Sequence, residues 1–367
     1  MTYAIEAKPL WQPNPNTVGD TRMAMFMQAM GHGRYADLWQ WSIDQPEAFW
    51  SRLWDFCGVI GDKGQTVLRD GDRMPGARWF PEARLNYAEN LLKHRDDAEA
   101  LVFWGEDKVK RRLSRAELYA EVARFQRFLV DAGVGVGDRV AGYLPNLPET
   151  LIAMLAATSL GAIWSSASPD FGVQGVLDRF GQIEPKVLVA VDGYYYNDKI
   201  VDCMERLAAI TDGLPSVKRV VVVPYVHAHH DISHVHHARM LADFVKPFLA
   251  ETEIPFARLP FDHPLYIMYS SGTTGVPKCI VHGAGGVLLQ HIKEHRLHGD
   301  VKPGDKLFYF TTCGWMMWNW LVSGLASGAT LLLYDGSPMI GDGAILFDYA
   351  QAEGMTHFGT SAKFIDG

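Results

Sequence analysis

Four cysteines in 367 residues are too few and too scattered to hold a fold together. Cys57, Cys203, Cys279 and Cys313 form no CxxC pair, which excludes a disulfide-rich scaffold and leaves buried, reduced thiols as the expectation. Long apolar runs are missing too: Leu151 to Ala157 and Val220 to Val223 fall far short of the roughly 20 residues that cross a bilayer. The opening MTYAIEAKPLWQPNPN has no charged segment leading into an apolar stretch, so it does not read as a secretory signal. Basic charge is scarce and dispersed. Lys and Arg number 34 against 42 Asp and Glu, giving a net charge of −8, and nowhere do they gather into the footprint that a phosphate backbone demands. No nucleic acid and no membrane span are expected; a soluble, cytoplasmic protein is.

What is present is a large apolar fraction, 48%, enough for a sizeable core in two or three domains or one large α/β unit. Residues 1–80 are rich in tryptophan and methionine. Pro46 opens a helix in which Phe49, Trp50, Leu53, Trp54 and Cys57 share one face, so this leader reads as a helical layer docked on the main body.

From Ser114 onward, helices and strands alternate. Ser114 and Glu117 make a capping box, Leu118, Val122, Phe125 and Leu129 line one face, and Gly133 supplies the stop. Strands are expected at 140–144, 162–166, 187–191 and 219–224, with helices after Asn146 and Pro148, near 173–182 and near 198–210. Such alternation predicts mostly parallel sheets flanked by helices. The pattern lapses between 225 and 238, where six histidines (His227, His229, His230, His234, His236, His237) fall within eleven residues. That segment reads as a solvated connector, with no bound metal expected.

The chemistry is carried by residues 265–286, LYIMYSSGTTGVPKCIVHGAGG. An apolar β-type run enters a loop of small residues, Ser270, Ser271, Gly272, Thr273, Thr274 and Gly275, and a second run leaves it. Small residues let the backbone wrap an anion, with N–H groups and hydroxyls aimed at phosphate oxygens, and Lys278 adds a fixed positive charge. The spacing is not GxxxxGK[ST], and Pro277 precedes the lysine, so the loop runs strand to strand and not onto the helix of a Walker-type site.

In these residues the chain resembles the adenylate-forming enzymes, the family of acyl-CoA synthetases, luciferases and peptide-synthetase adenylation domains. The resemblance rests on YSSGTTGVPK (269–278), LSRAELY (113–119), GVGVGDRVAGYLPN (133–146) and SLGAIWSSASPDFG (159–172). The leader, ending in WFPEARLNYAENLL (79–92), is similar to that of short-chain acid:CoA ligases. LWQWS (38–42), DGYYYND (192–198) and TTCGWMMWNW (311–320) look most like the branch that takes acetoacetate.

The resemblance implies an α/β fold: the large N-terminal domain of adenylate-forming enzymes, with the helical leader in residues 1–80 and a partial AMP-binding domain in 81–367. It implies a ligase that makes an acyl-adenylate from an acid and ATP with Mg²⁺, then passes the acyl group to coenzyme A. It assigns Ser270, Ser271, Gly272, Thr273, Thr274, Gly275 and Lys278 to phosphate binding. Trp315, Met316, Met317, Trp318 and Asn319 are assigned to the acyl pocket, where the indole and amide N–H groups would meet a keto oxygen. The catalytic lysine is expected downstream of Gly367, so no catalytic residue is assigned here and inactivity of this stretch alone is expected. A ligase for acetate, propionate or butyrate, or a non-catalytic nucleotide-binding relic, are the alternative expectations.

Overall fold

The computed structural model describes residues 11–228, 230–270 and 275–366. Two helix-flanked sheets form the body. The first has seven strands in the order Ala238–Met240, Arg219–Val223, Val187–Val191, Arg139–Tyr143, Ile163–Ala167, Pro264–Ser270, Lys278–Gly283. Neighbours run parallel except at the antiparallel edge strand Lys278–Gly283. The second has five strands in the order His357–Gly359, Lys306–Tyr309, Thr330–Asp335, Glu99–Gly105, Val109–Ser114. Here too only the edge strand Val109–Ser114 is antiparallel. Central strands such as Val187–Val191 are buried along their whole length, and their unbroken apolar runs are what a parallel sheet covered on both faces requires.

Local chemistry explains the helices that carry this frame. Ser114 and Glu117 form the expected reciprocal cap on Arg115–Asp131, and Gly133 adopts φ +75° beyond its end. Helix Pro148–Ser159 is apolar all round and buried on every side apart from Glu149, whose carboxylate meets Arg111 at 2.6 Å. Asn146, expected to cap that helix, does not. The cap position is Leu147, without a side-chain bond, and the Asn146 carboxamide is committed elsewhere.

The leader is not a separate globule. Phe49, Leu53, Trp54 and Cys57 from helix Pro46–Cys57 join the same core as the main body, and the Phe80 ring lies 5.3 Å from Trp54 and 5.0 Å from Phe261. Three cysteines are buried, but Cys279 is exposed, because it lies on the edge strand Lys278–Gly283. No helix among the described residues is long and apolar enough to cross a membrane.

One element departs from expectation. Residues 198–202 are not the start of a helix: Gly193–Tyr196 and Lys199–Asp202 pair as a hairpin, and the helix is Met204–Asp212. The turn residues Asn197 and Asp198 sit at φ +51° and +60°, which Asn and Asp tolerate and which suit the twist of a two-residue hairpin loop. The periodic apolar positions Met204, Leu207 and Ile210 belong only to the later helix.

Close packing at the first sheet offers a test. A Cβ on Gly142 would stand 2.7 Å from two ring carbons of the buried Trp164. Gly142→Ala should therefore lower stability by about 1–3 kcal/mol, since the indole has nowhere to move. Urea unfolding checks this, and an unchanged midpoint would contradict the packing described.

Candidate functional site

Strands Pro264–Ser270 and Lys278–Gly283 pair in register, Tyr269 with Cys279 and Ser270 with Lys278. The small-residue loop therefore does run strand to strand, with Ser270 and Lys278 facing each other at its base. Ser271, Gly272, Thr273 and Thr274 lie outside the described residues. Gly275 has φ +116°, a backbone conformation that costs any other residue strain, and a Cβ there would meet nothing within 4 Å. Backbone geometry and not crowding demands glycine at this position.

Helix Val173–Ile183 buttresses the loop. Gln182 donates through Nε2 to the Pro277 carbonyl at 2.8 Å, and the Arg179 guanidinium lies over the Phe171 ring at 4.5 Å and near Tyr269 at 5.8 Å. The Tyr269 hydroxyl in turn lies 3.0 Å from Ser165 Oγ, which donates to the Ile267 carbonyl at 2.8 Å. Gln182 and Arg179 escaped the sequence reading because nothing in their own helix marks them; only the fold brings them to Pro277 and Tyr269.

The segment assigned to the acyl pocket begins at the N-cap Trp315 of helix Met316–Ser323. Trp315 and Met316 are exposed and Met317 is half-buried. Met316 borders a cavity of about 720 Å³ beside His282, His291 and Phe261. Trp318 is different. It is fully buried, and its indole N–H already donates to Asn146 Oδ1 at 2.9 Å, so it fixes the helix and has no proton to offer a ligand. Asn319 is buried as well: its Nδ2 faces the Met268 sulfur at 3.6 Å and its Oδ1 has no partner.

This helix is fastened to the ends of the first sheet. Ser166 Oγ donates to the Cys313 carbonyl at 2.7 Å, and the Cys313 thiol points to the Pro145 carbonyl at 3.2 Å. Between the fastened segments lies a cleft of about 270 Å³, lined by Asn146, Asp170, Tyr194, Thr312 and Asp335. It sits outside the carboxyl ends of strands from both sheets, where open parallel sheets bind ligands. Asp335 Oδ2 is buried there without a partner, and burial pushes its carboxyl up to about 7.

With this geometry in hand, comparison is informative. The model of the AMP-binding enzyme family matches residues 88–366, and that of the acetyl-coenzyme A synthetase N-terminus matches residues 35–91. The chain belongs to the AMP-binding enzyme family. It is 55% identical over 366 residues to acetoacetyl-coenzyme A synthetase of Rhizobium meliloti, covering 98% of this chain and 56% of that protein. It is 42% identical over 342 residues to malonamoyl-CoA synthetase of Penicillium aethiopicum, covering 90% of this chain and 46% of that protein. The solved acetoacetyl-CoA synthetase of Streptomyces lividans superposes with a TM-score of 0.91 at 41% identity, covering 98% of this chain and 56% of that one. The chain thus spans about half the length of the relatives it matches, and within that span its fold is that of the AMP-binding enzymes.

Behind helix Met316–Ser323 this family member carries an interior polar cluster. His295 Nε2 lies 2.8 Å from the Trp320 carbonyl and 3.1 Å from Ser323 Oγ, and His291 Nδ1 is 2.9 Å from Ser323 Oγ. With Nε2–H donating to Trp320, His295 Nδ1 is left bare, and it has no partner. Burial pushes His291 down to about 3 and His295 down to about 4, from an ordinary value of 6.5. Both rings are neutral at pH 7. The unfolded chain takes up protons first, so stability is full above about pH 6.5 and falls as pH drops toward these folded values. Thermal unfolding should therefore shift downward between pH 7 and pH 5, and His295→Gln, which keeps a donor for Trp320, should narrow the shift. An equal shift in the variant would contradict the assignment.

Proposed function

We propose that this chain is the nucleotide-cradling and acyl-binding part of an acid:CoA ligase that activates acetoacetate as its acyl-adenylate. The observation that carries the reading is the pairing of Ser270 with Lys278 at the base of the small-residue loop, with Met316 sharing a cavity with Val281, His282 and Gly283 of the strand that leaves it.

In the first step a carboxylate oxygen attacks the α-phosphorus of ATP, a P–O bond to the acid forms, and pyrophosphate leaves. Mg²⁺ arrives as the counter-ion of the ATP substrate and disperses phosphate charge. Ser270, Ser271, Gly272, Thr273, Thr274 and Gly275 would supply N–H and hydroxyl donors to the β- and γ-phosphates, and Lys278 a fixed cation, so that the negative charge gathering on the leaving group is met where it develops. In the second step the thiol sulfur of coenzyme A attacks the acyl carbonyl, AMP leaves, and the thiol proton passes to solvent. Four unpaired cysteines accord with a reducing, cytoplasmic setting.

The acid is argued from the pocket and the relatives together. Acetoacetate and malonamate, the acids implied by the relatives' names, share a carbonyl β to the carboxylate. A site for either must offer a donor to that oxygen. Trp318 has given its N–H to Asn146, which leaves the exposed Trp315 indole as the donor at the start of the helix. A donor that the bound acid covers from water lets a site reject the apolar analogue, by up to about 10⁴-fold where the donor is fully buried.

In protein of the relatives' full length, kcat/KM for acetoacetate should exceed that for butyrate, and Trp315→Phe should erase at least tenfold of the difference while leaving butyrate unchanged. Steady-state kinetics with both acids measures this. Equal values for the two acids in the unaltered protein would replace the acetoacetate reading with a general short-chain ligase.

A further inference from the structure

The histidine-rich stretch is tied down at its start, at His227, while His229 lies outside the described residues. Asp192, fully buried just past strand Val187–Val191, accepts three backbone N–H groups: Tyr225 at 2.8 Å and Val226 at 3.2 Å on Oδ1, and His227 at 3.0 Å on Oδ2. That carboxylate fixes the backbone at His227. Asp202, at the end of the hairpin strand Lys199–Asp202, is fixed in its own way, because its Oδ1 accepts the Met204 N–H at 2.8 Å. Its Oδ2 is left facing His230 Nε2 at 2.7 Å. The rings of His227 and His230 lie 5.1 Å apart, and one ligand atom from each of Asp202, His227 and His230 falls within 4.8 Å of the others.

We propose that Asp202, His227 and His230 form a binding site for a single divalent transition-metal ion of the Zn²⁺ class, clasping the hairpin to the loop that follows strand Arg219–Val223. Two imidazoles and one carboxylate are a donor set that suits Zn²⁺, with water completing a tetrahedron on the exposed side. Ligand atoms on bonds of about 2.0–2.1 Å stand about 3.3 Å apart in a tetrahedron. With the three atoms already within 4.8 Å of one another, rotation of the histidine side chains can close them onto one ion while Asp202 Oδ1 stays on the Met204 N–H. The ion's charge is met by Asp202 directly and by the buried Asp192 behind it. No nearby feature demands this convergence for phosphate or acyl chemistry. The hairpin reaches the second sheet at its other end, where the Asp198 N–H donates to Glu106 Oε2 at 3.1 Å, so a metal clasp here would hold one hairpin to both sheets.

The test is Zn²⁺ titration of the tag-free chain by calorimetry, beside thermal unfolding with and without the ion. One ion per chain should bind, with its Kd raised at least tenfold in His227→Ala, His230→Ala and Asp202→Asn. The rise in unfolding temperature with Zn²⁺ should vanish in those variants, since a ligand stabilises only the state that binds it. Asp202→Asn keeps an oxygen for Met204 and so controls for local unfolding, as does unchanged circular dichroism in each variant. The His234→Ala, His236→Ala double variant should bind as the unaltered chain does. Absence of stoichiometric binding overturns the proposal. So does binding that survives the three substitutions, or that is lost in the His234 and His236 variant.

Discussion

The arrangement depends on a set of buried hydrogen bonds that stitch segment 311–323 of one sheet onto the strand ends of the other. Trp318 to Asn146, Ser166 to the Cys313 carbonyl, and the Cys313 thiol to the Pro145 carbonyl at 3.2 Å all lie out of water. Each contributes about 1 kcal/mol net when made, yet leaving one partner stranded costs about 1–3 kcal/mol. The penalty for breaking the set outweighs the gain from forming it. That asymmetry keeps helix Met316–Ser323 in one place, and it makes the strand ends of both sheets open on a shared cleft.

Around that junction the protein separates rigid support from exposed chemistry. Helix Pro148–Ser159 is buried apart from Glu149 and strand Val187–Val191 is buried throughout, whereas Lys278, Trp315 and Met316 are exposed. The aromatic surface of Trp315 is thus presented at the start of a helix whose inward residues Trp318, Asn319, Leu321 and Val322 are packed, while Lys278 lies on an exposed edge strand. The interior histidines obey the same logic. Neutral rings at His291 and His295 can sit behind helix Met316–Ser323 because burial has taken away their charge, and acid is what undoes them.

Features written in short-range chemistry were legible from the residues. The Ser114 and Glu117 cap, the strand Val187–Val191 and the strand-to-strand course of the small-residue loop all follow from neighbours a few positions apart. Features that depend on distant partners were not. Asn146 looks like a cap in sequence, and only the fold shows it 172 positions from the indole it serves. The same distance hid the burial of Trp318, which cannot be told from its equally aromatic neighbour Trp315 until the helix is docked. Residues 198–202 were masked by the strong period of Met204, Leu207 and Ile210, which extends backward in a sequence window although the turn at Asn197 and Asp198 forbids it. Asp192, one carboxylate after a strand, gave no hint of the three backbone groups it gathers.

The central claim is that the loop between Ser270 and Lys278 meets the phosphate charge that develops as pyrophosphate leaves. Isotope exchange between pyrophosphate and ATP, driven by acetoacetate in the absence of coenzyme A, reports that half-reaction alone. Protein of the relatives' full length should catalyse the exchange only when the acid is present. Lys278→Ala should slow it by about 10²-fold or more, while thioester formation from supplied acyl-adenylate is much less affected. Exchange that runs without acid, or a Lys278→Ala variant that slows both half-reactions equally, would contradict the account.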